Sequence, residues 1–285
     1  MRDLLVCGAA FGAFALGAVC LGACASSDRG LTRSDAGGPV EAGSIVISGN
    51  DGAVTPVGGA EVFGHSDTAL YRLDPESKAV TVVGNFQGCY DILDIALDED
   101  SNMYGASETA LYAIDKRTAT CTLLKEGSKY PNSLSFVPKG TVDANVEALV
   151  GFVDSAYYRI DTSTGVKTPI GTMGSNYRSS GDIVSVKGGG TYVTVLGSGC
   201  HDCLVEIDPR NGSIKKNFGP LGYQDVFGLT FWAGSAYGFT NGGQLFEIKF
   251  GATSVTTSVI PVPNAPSGLK FWGAGSTTAA PLTIR

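Results

Sequence analysis

Two aspartates, Asp94 and Asp182, are the residues of this sequence best placed for acid–base chemistry. Each begins a short, mainly apolar run, Asp-Ile-Ala-Leu in the first case and Asp-Ile-Val-Ser-Val in the second. Two carboxyl groups can act as general acid and base in glycoside hydrolysis when they lie about 5–5.5 Å or about 6.5–9.5 Å apart. The pair therefore permits a hydrolase or lyase acting on carbohydrate or a lactone. The alternative is that each aspartate caps backbone amides at the start of a strand.

Four tyrosines share a position relative to these two runs and to two similar ones. Each lies a few residues before the first residue of its run: they are Tyr90, Tyr130, Tyr177 and Tyr223. A phenol ring offers a flat apolar surface and one hydroxyl group, a combination that suits sugars and peptides. The pattern predicts a tyrosine rim that binds a glycan, peptide or envelope protein without catalysis. In the alternative interpretation, the four rings pack over the strand ends as plugs.

Metal and cofactor chemistry has little support in the sequence. The chain has two histidines, His65 and His201, and no third ligand falls at a suitable spacing from them. A phosphate-cradling loop, a dinucleotide fingerprint and a serine nucleophile motif are all missing from the sequence. We therefore expect no metal and no cofactor.

Four of the seven cysteines lie beyond residue 43. The spacing of Cys200 and Cys203 occurs in redox and zinc motifs, but no helix is expected here to lower a thiol pKa and no second pair completes a zinc site. In an oxidising compartment this spacing predicts a disulfide. The strand pattern places Cys89 and Cys121 at opposite ends of their strands, which argues against a bond between them and leaves their redox state open.

The elements that must position these residues are repeated strands. One alternating strand recurs five times at intervals of 41 to 47 residues, at residues 70–74, 111–115, 157–161, 204–208 and 245–249. Four copies end in Asp, which starts turns through its side-chain oxygen. Alternation of period two indicates strands, and a repeat of about 40–50 residues is typical of propeller blades.

Each repeat also carries an inner strand before it, a second strand and a fourth strand. The inner strands are predicted at residues 94–97, 133–136, 182–186, 228–231 and 268–271. Four antiparallel strands make one blade, so the sequence predicts an all-β protein, a β-propeller of five four-stranded blades. A possible strand at residues 44–48 leaves a sixth, degenerate blade as the alternative.

The ring of blades is predicted to close through the C-terminal strand. The first repeat lacks its own inner strand, whereas residues 268–271 have no blade after them. Placing these residues innermost in the first blade removes exposed sheet edges. The chain would then enter the propeller on the face opposite the tyrosines.

The segment from Asp94 to Tyr104, followed by Leu-Tyr-Ala-Ile-Asp at residues 111–115, resembles exported bacterial propellers of the NHL and YVTN-like type. The resemblance covers residues 61–272 at the level of the repeat. It implies the propeller fold and leaves the function open, since one propeller scaffold serves enzymes and binding proteins alike.

Composition excludes two broad classes. Glycine accounts for 40 of 285 residues, and 16% of residues are charged while 43% are hydrophobic. That apolar fraction can fill a sizeable core, so the bulk of the chain is not disordered. The formal net charge is −7 and no basic block occurs. A nucleic-acid partner is excluded because phosphate-neutralising charge is missing.

The N-terminus predicts export and anchoring. An apolar run at residues 4–19 follows Arg2, as in a signal peptide spanning residues 1–23. The tetrapeptide Leu21-Gly22-Ala23-Cys24 resembles the bacterial lipobox. This resemblance implies that Cys24 becomes the mature N-terminus and carries diacylglycerol and palmitate.

Residues 24–43 form the predicted tether. They lack periodicity and large apolar groups, so they are expected to be flexible, with the propeller domain at residues 44–285. Acyl chains would hold the protein to a membrane leaflet without a transmembrane helix. By resemblance to enteric lipoproteins, Ala25 after the cysteine favours the outer membrane. We expect a monomeric lipoprotein of the cell envelope.

Overall fold

The computed structural model describes residues 61–283, apart from residues 128, 198, 263, 264 and 266. The predicted signal peptide, Cys24, the tether and the possible strand at residues 44–48 lie outside these residues. The described chain is all-β, and no helix in it is long and apolar enough to cross a membrane.

The described residues form 20 strands. In chain order they are β1 (Val62–His65), β2 (Ala69–Leu73), β3 (Val80–Asn85), β4 (Asp94–Leu97), β5 (Met103–Ala106), β6 (Ala110–Asp115), β7 (Thr120–Glu126), β8 (Leu134–Val137), β9 (Ala148–Val153), β10 (Ala156–Ile160), β11 (Lys167–Thr172), β12 (Tyr177–Ser185), β13 (Thr191–Gly197), β14 (Cys200–Ile207), β15 (Ile214–Pro220), β16 (Val226–Trp232), β17 (Ser235–Thr240), β18 (Leu245–Phe250), β19 (Val255–Ile260) and β20 (Gly273–Ser276).

The strands make five antiparallel four-stranded sheets, which are the blades. From the inside outward, blade 1 is β20-β1-β2-β3, blade 2 is β4-β5-β6-β7, blade 3 is β8-β9-β10-β11, blade 4 is β12-β13-β14-β15 and blade 5 is β16-β17-β18-β19. The five inner strands contact one another in a ring around a central channel. The prediction of a five-bladed propeller is confirmed.

The strand that closes the ring is not the one predicted. Closure does join a C-terminal inner strand to β1, but the strand is β20, and residues 268–271 precede it. Phe271 is instead fully buried in the core, where its ring packs edge-on against Phe239. The crowded channel requires small residues: a Cβ atom at Gly228 would lie 2.7 Å from that of Ala274. The Gly-Ala-Gly-Ser sequence of β20 meets that requirement.

We call the face that carries the links between blades, and between second and third strands, the upper face. In β1, His65 pairs with Gly273 at the upper end and Val62 pairs with Ser276 at the lower end. The described chain therefore enters blade 1 from the lower face. The segment after β20 then crosses that face: the Lys187 N–H donates to the Thr278 carbonyl, and the Ala233 N–H donates to the Pro281 carbonyl.

Blade twist explains a disulfide that the strand pattern argued against. Cys89 and Cys121 are bonded, with Cα atoms 5.7 Å apart, so the argument against pairing them was wrong. Adjacent strands rotate by about 20–25°, and three steps turn an outer strand by roughly 60–75° relative to the inner one. The link after β3 consequently reaches the lower start of β7 in the next blade, where Gln87 bridges Thr120.

Candidate functional site

A cavity of about 320 Å³ lies at the upper mouth of the central channel. All five blades contribute to its wall, which consists of Leu93, Asn132, Ser180, Gly181, Phe227, Asn241, Lys270 and Trp272. Five of these residues immediately precede equivalent positions in the five inner strands. The repeat therefore forms the cavity, because each blade contributes the residue that comes just before the same position of its inner strand.

The segment before β20 supplies one aromatic and one charged wall residue. Leu269 and Phe271 pack into the core between blades 5 and 1, whereas Lys270 and Trp272 line the cavity. This alternation is that of an extended chain. The Trp272 N–H donates to the His65 carbonyl at 2.7 Å, which fixes the backbone beneath the indole ring.

A β-bulge in β12 shapes the opposite wall. The pairing with β13 shifts register between Ser179 and Ile183, and the intervening residues Ser180 and Gly181 line the cavity. Bulges commonly redirect side chains at the rims of β-structures. Gly181 is required here because a Cβ atom would overlap the Val226 carbonyl of the next blade.

Two polar atoms of the wall lack partners. Ser180 Oγ and Asn241 Oδ1 are buried and accept or donate no hydrogen bond within the part of the chain that the structure describes. Leaving such a group unpaired costs about 1–3 kcal/mol.

The carboxyl groups of Asp94 and Asp182 meet just below this cavity. Both are fully buried and hydrogen-bonded to each other. Asp94 also accepts the N–H groups of Ile95 at 2.9 Å and Leu134 at 2.6 Å. Since Leu134 belongs to the next blade, Asp94 ties the inner strands of blades 2 and 3 together.

Asp182 repeats this arrangement two blades further on. Its carboxyl group accepts the Ile183 N–H and, from blade 5, the Leu229 N–H, both at 2.6 Å. Burial raises the pKa of both aspartates well above the usual range, and the proximity of Asp94 raises the pKa of Asp182 further. The backbone amide of Ala274 lowers the pKa of Asp94, which favours the shared proton on Asp182.

This geometry differs from the one on which the hydrolase alternative depended. A direct hydrogen bond leaves no room between Asp94 and Asp182 for a glycosidic bond or a water, whereas glycosidases hold their carboxyls about 5–9.5 Å apart. Neither aspartate lines the cavity. The second alternative, that each aspartate caps backbone amides, matches the observed contacts.

His65 lies in the same layer as the aspartates. It is fully buried, its Nδ1 lies 2.8 Å from the Ser66 carbonyl, and its Nε2 has no partner among the described residues. Nδ1 must therefore carry the hydrogen. Burial lowers the pKa of His65 to about 4, so the ring is neutral at physiological pH. No group of three or more His, Cys, Asp or Glu residues in the described chain could hold a metal ion.

The four tyrosines do not line the cavity, and their surroundings differ. Tyr130 is 4% exposed and donates its hydroxyl hydrogen at 2.9 Å to the Gly165 carbonyl in the link between β10 and β11 of blade 3. Its ring packs in the core between blades 2 and 3. Tyr90 is 71% exposed and is the freest of the four.

The remaining two tyrosines are half-buried. Tyr223 stacks on Phe246, with ring centroids 3.8 Å apart. Tyr177 accepts a hydrogen bond from the Asn217 side chain at 3.3 Å. A role of the tyrosines in ligand binding stays a prediction, and it concerns Tyr90 above all.

A disulfide joins Cys200 and Cys203 in the first residues of β14, at its upper end. His201 between them is exposed, whereas the Asp202 side chain is buried, with His201 Nδ1 lying 3.3 Å from Asp202 Oδ2. The bond closes this loop. Neither cysteine lines the cavity.

Sequence reasoning missed the wall residues although a signal for them exists. The positions one step before Asp94, Ser133, Asp182 and Gly228 all line the cavity. The predicted closing strand was displaced by five residues, so the equivalent position in blade 1 fell on Ser267 instead of Trp272. With the correct register, the repeat alone identifies the five wall positions.

Fold and cavity define the class, a five-bladed β-propeller with a small-molecule-sized cavity at its upper mouth. No protein-family model matches the chain, and no curated protein matches it.

Several solved structures are distantly similar. Hydrazine synthase of Kuenenia stuttgartiensis is 14% identical with a TM-score of 0.39, over 68% of this chain and 60% of that one. A protein of unknown function from Bacteroides caccae is 12% identical with a TM-score of 0.41, over 74% and 77%. PorZ, a surface component of the type-IX secretion system of Porphyromonas gingivalis, is 16% identical with a TM-score of 0.38, over 73% and 26%. These similarities carry no argument about function.

Proposed function

We propose that this protein is an exported, lipid-anchored propeller that binds a glycan in its upper cavity without catalysis. The observation that carries the proposal is the make-up of the wall, in which the aromatic residues Phe227 and Trp272 line the same space as the polar residues Asn132, Ser180 and Asn241. Sugars present an apolar ring face together with hydroxyl groups, and such a wall complements both.

The cavity shape favours a glycan over a peptide. Peptides are usually bound along a sheet edge or in an open groove, where many backbone bonds can form. This cavity is instead a funnel enclosed by five blades, and about 320 Å³ is near the lower end of small-molecule sites. It accommodates a short segment or the end of a glycan.

The anchor half of the proposal depends on Cys24. Lipid attached there would hold the protein at a membrane, while the described chain enters the propeller at Val62 on the lower face. Cys24→Ser should move the protein from the membrane to the soluble exported fraction. Equal recovery of Cys24→Ser and wild type with membranes would contradict the anchor without affecting the cavity.

Tryptophan fluorescence tests the binding half. The chain has two tryptophans: Trp272 lines the cavity, and Trp232 lies at the lower end of β16, beside the hairpin to Ser235. Trp232→Phe leaves Trp272 as the only tryptophan of the sequence, and Trp272→Phe is the matched control. Glycans that bind on an array should change the emission of Trp232→Phe and leave that of Trp272→Phe constant.

Two results would contradict glycan binding in the cavity. One is the lack of any array hit with folded protein. The other is a glycan that binds Trp272→Ala as tightly as wild type, because loss of a stacking ring should weaken binding about tenfold.

A further inference from the structure

We infer that the glycan recognised by the cavity carries a single carboxylated sugar, whose carboxylate pairs with Lys270 while its ring stacks on Trp272. This inference rests on the proposed function and specifies its ligand. It starts from charge: Lys270 is the one charged residue of the wall, and no salt bridge or hydrogen bond to it occurs within the described residues.

The acids of the floor make no ion pair with this lysine. Asp94 and Asp182 share a proton, are fully buried and carry one negative charge between them. Their oxygens are occupied by each other and by backbone amides of Ile95, Leu134 and Leu229. Lys270 is exposed at the cavity and makes no ion pair with the described protein, so its ammonium group is available to an anionic ligand.

The spacing of the two side chains fits one acidic sugar. Lys270 and Trp272 lie two residues apart on the same side of an extended segment, which separates their Cα atoms by about 6–7 Å. A pyranose ring stacked on the indole would place an exocyclic carboxylate within reach of the flexible ammonium group. A charge-assisted hydrogen bond of this kind is roughly twice as strong as a neutral one.

The rim limits the ligand to few negative charges. The upper face carries more exposed acids than exposed bases outside the wall. The acids are Asp67, Asp91, Glu108, Asp154 and Asp225, and the bases, in addition to Lys270 of the wall, are Lys129 and Arg178. A polyanion crossing this rim would be repelled by the acids, because like charges repel one another over distances up to the screening length of roughly 8–10 Å. A single uronic acid residue or a similar terminal acidic sugar avoids it.

Matched sugar pairs provide the test. Methyl glycosides of glucuronic, galacturonic and mannuronic acid are compared with those of glucose, galactose and mannose, which differ only in the oxidation of C6. Affinity is measured by the Trp272 emission of the Trp232→Phe protein. At least one uronide should bind tenfold or more tightly than its neutral partner, and added salt should weaken only the uronide.

Variants at Lys270 test whether this side chain causes the preference for a uronide over its neutral partner. Lys270→Met keeps the length of the side chain and removes its charge, so it should abolish the preference, whereas Lys270→Arg should retain it. Lys249→Met is the matched control, since Lys249 lies at the lower end of β18 beside Glu247.

Two outcomes would overturn the inference. Equal affinity within each sugar pair, or a preference that survives in Lys270→Met, removes the acidic sugar while the proposed glycan binding stands. If none of the six glycosides binds but neutral array glycans do, the inference fails alone. If no glycan of any kind binds, the proposed function fails with it.

Discussion

Asp182 and Asp94 share one proton across the central channel, and each also holds the backbone of a neighbouring blade. Asp94 accepts the Leu134 N–H of blade 3, and Asp182 accepts the Leu229 N–H of blade 5, both at 2.6 Å. Four of the five inner strands are connected in this way. The pair connects the inner strands beneath the cavity, and neither aspartate lines the cavity wall.

Replacement by asparagine should destabilise the protein by different amounts at the two aspartates. Asp94→Asn places an NH₂ group against backbone N–H donors, whereas Asp182→Asn keeps a donor toward Asp94 and loses one accepted bond. We expect Asp94→Asn to lower the free energy of unfolding by about 1–3 kcal/mol more than Asp182→Asn. Urea denaturation of both variants measures the difference, and the reverse order would show that the proton resides on Asp94.

Acid should weaken the fold through His65. Its pKa falls from 6.5 in the unfolded chain to about 4 in the folded protein, so its contribution is complete above pH 6.5 and is lost as the pH falls toward 4. The loss amounts to about 3 kcal/mol at pH 4. The raised pKa values of the aspartate pair act in the opposite direction, because that contribution is lost as the pH rises.

His65→Gln isolates this contribution. The variant keeps the aspartate pair and removes the titrating ring, so the dependence of unfolding free energy on pH between 6.5 and 4 should become flatter than in wild type. Parallel curves for the two proteins would mean that burial does not lower the pKa of His65.

The disulfides should contribute unequally to stability. The bond between Cys89 and Cys121 closes a separation of 32 residues, and that between Cys200 and Cys203 a separation of three. Loop-closure entropy predicts about 3–4 kcal/mol for the longer loop and about 2 kcal/mol for the shorter one. Paired Cys→Ala variants measured by denaturation test this order. Thiol titration of the unfolded, unreduced protein should find no reactive cysteine at these four positions.

Tyr130 and Tyr90 provide a matched pair for the tyrosine rim. Tyr130→Ala removes a buried ring and should cost about 3–5 kcal/mol of unfolding free energy. Tyr90→Ala removes an exposed ring and should leave stability nearly unchanged. Glycan affinity of the same Tyr90→Ala protein shows whether the tyrosine rim takes part in binding. Weaker binding would extend the site from the cavity to the rim, and unchanged affinity would confine the site to the cavity.

The sequence alone determines the number of blades and their four-stranded form. Alternating strands at intervals of 41 to 47 residues carry that information locally, because each strand needs only its own apolar face and its own turn residues. Asp94–Leu97, for instance, is a strand over the predicted range. Closure by a C-terminal strand also follows, since one inner strand is missing at the first repeat.

Only the tertiary structure decided which residues meet across the blades. Trp272 was missed because residues 268–271 repeat the apolar pattern of an inner strand, while the crowded channel admits the small residues of Gly273–Ser276. The bond from Cys89 to Cys121 was missed because twist accumulates over a whole blade. The shared proton of Asp94 and Asp182 depends on channel width, which is set by the packing of all five inner strands together. Such contacts join residues about 30 to 90 positions apart, and a local pattern contains no information about them.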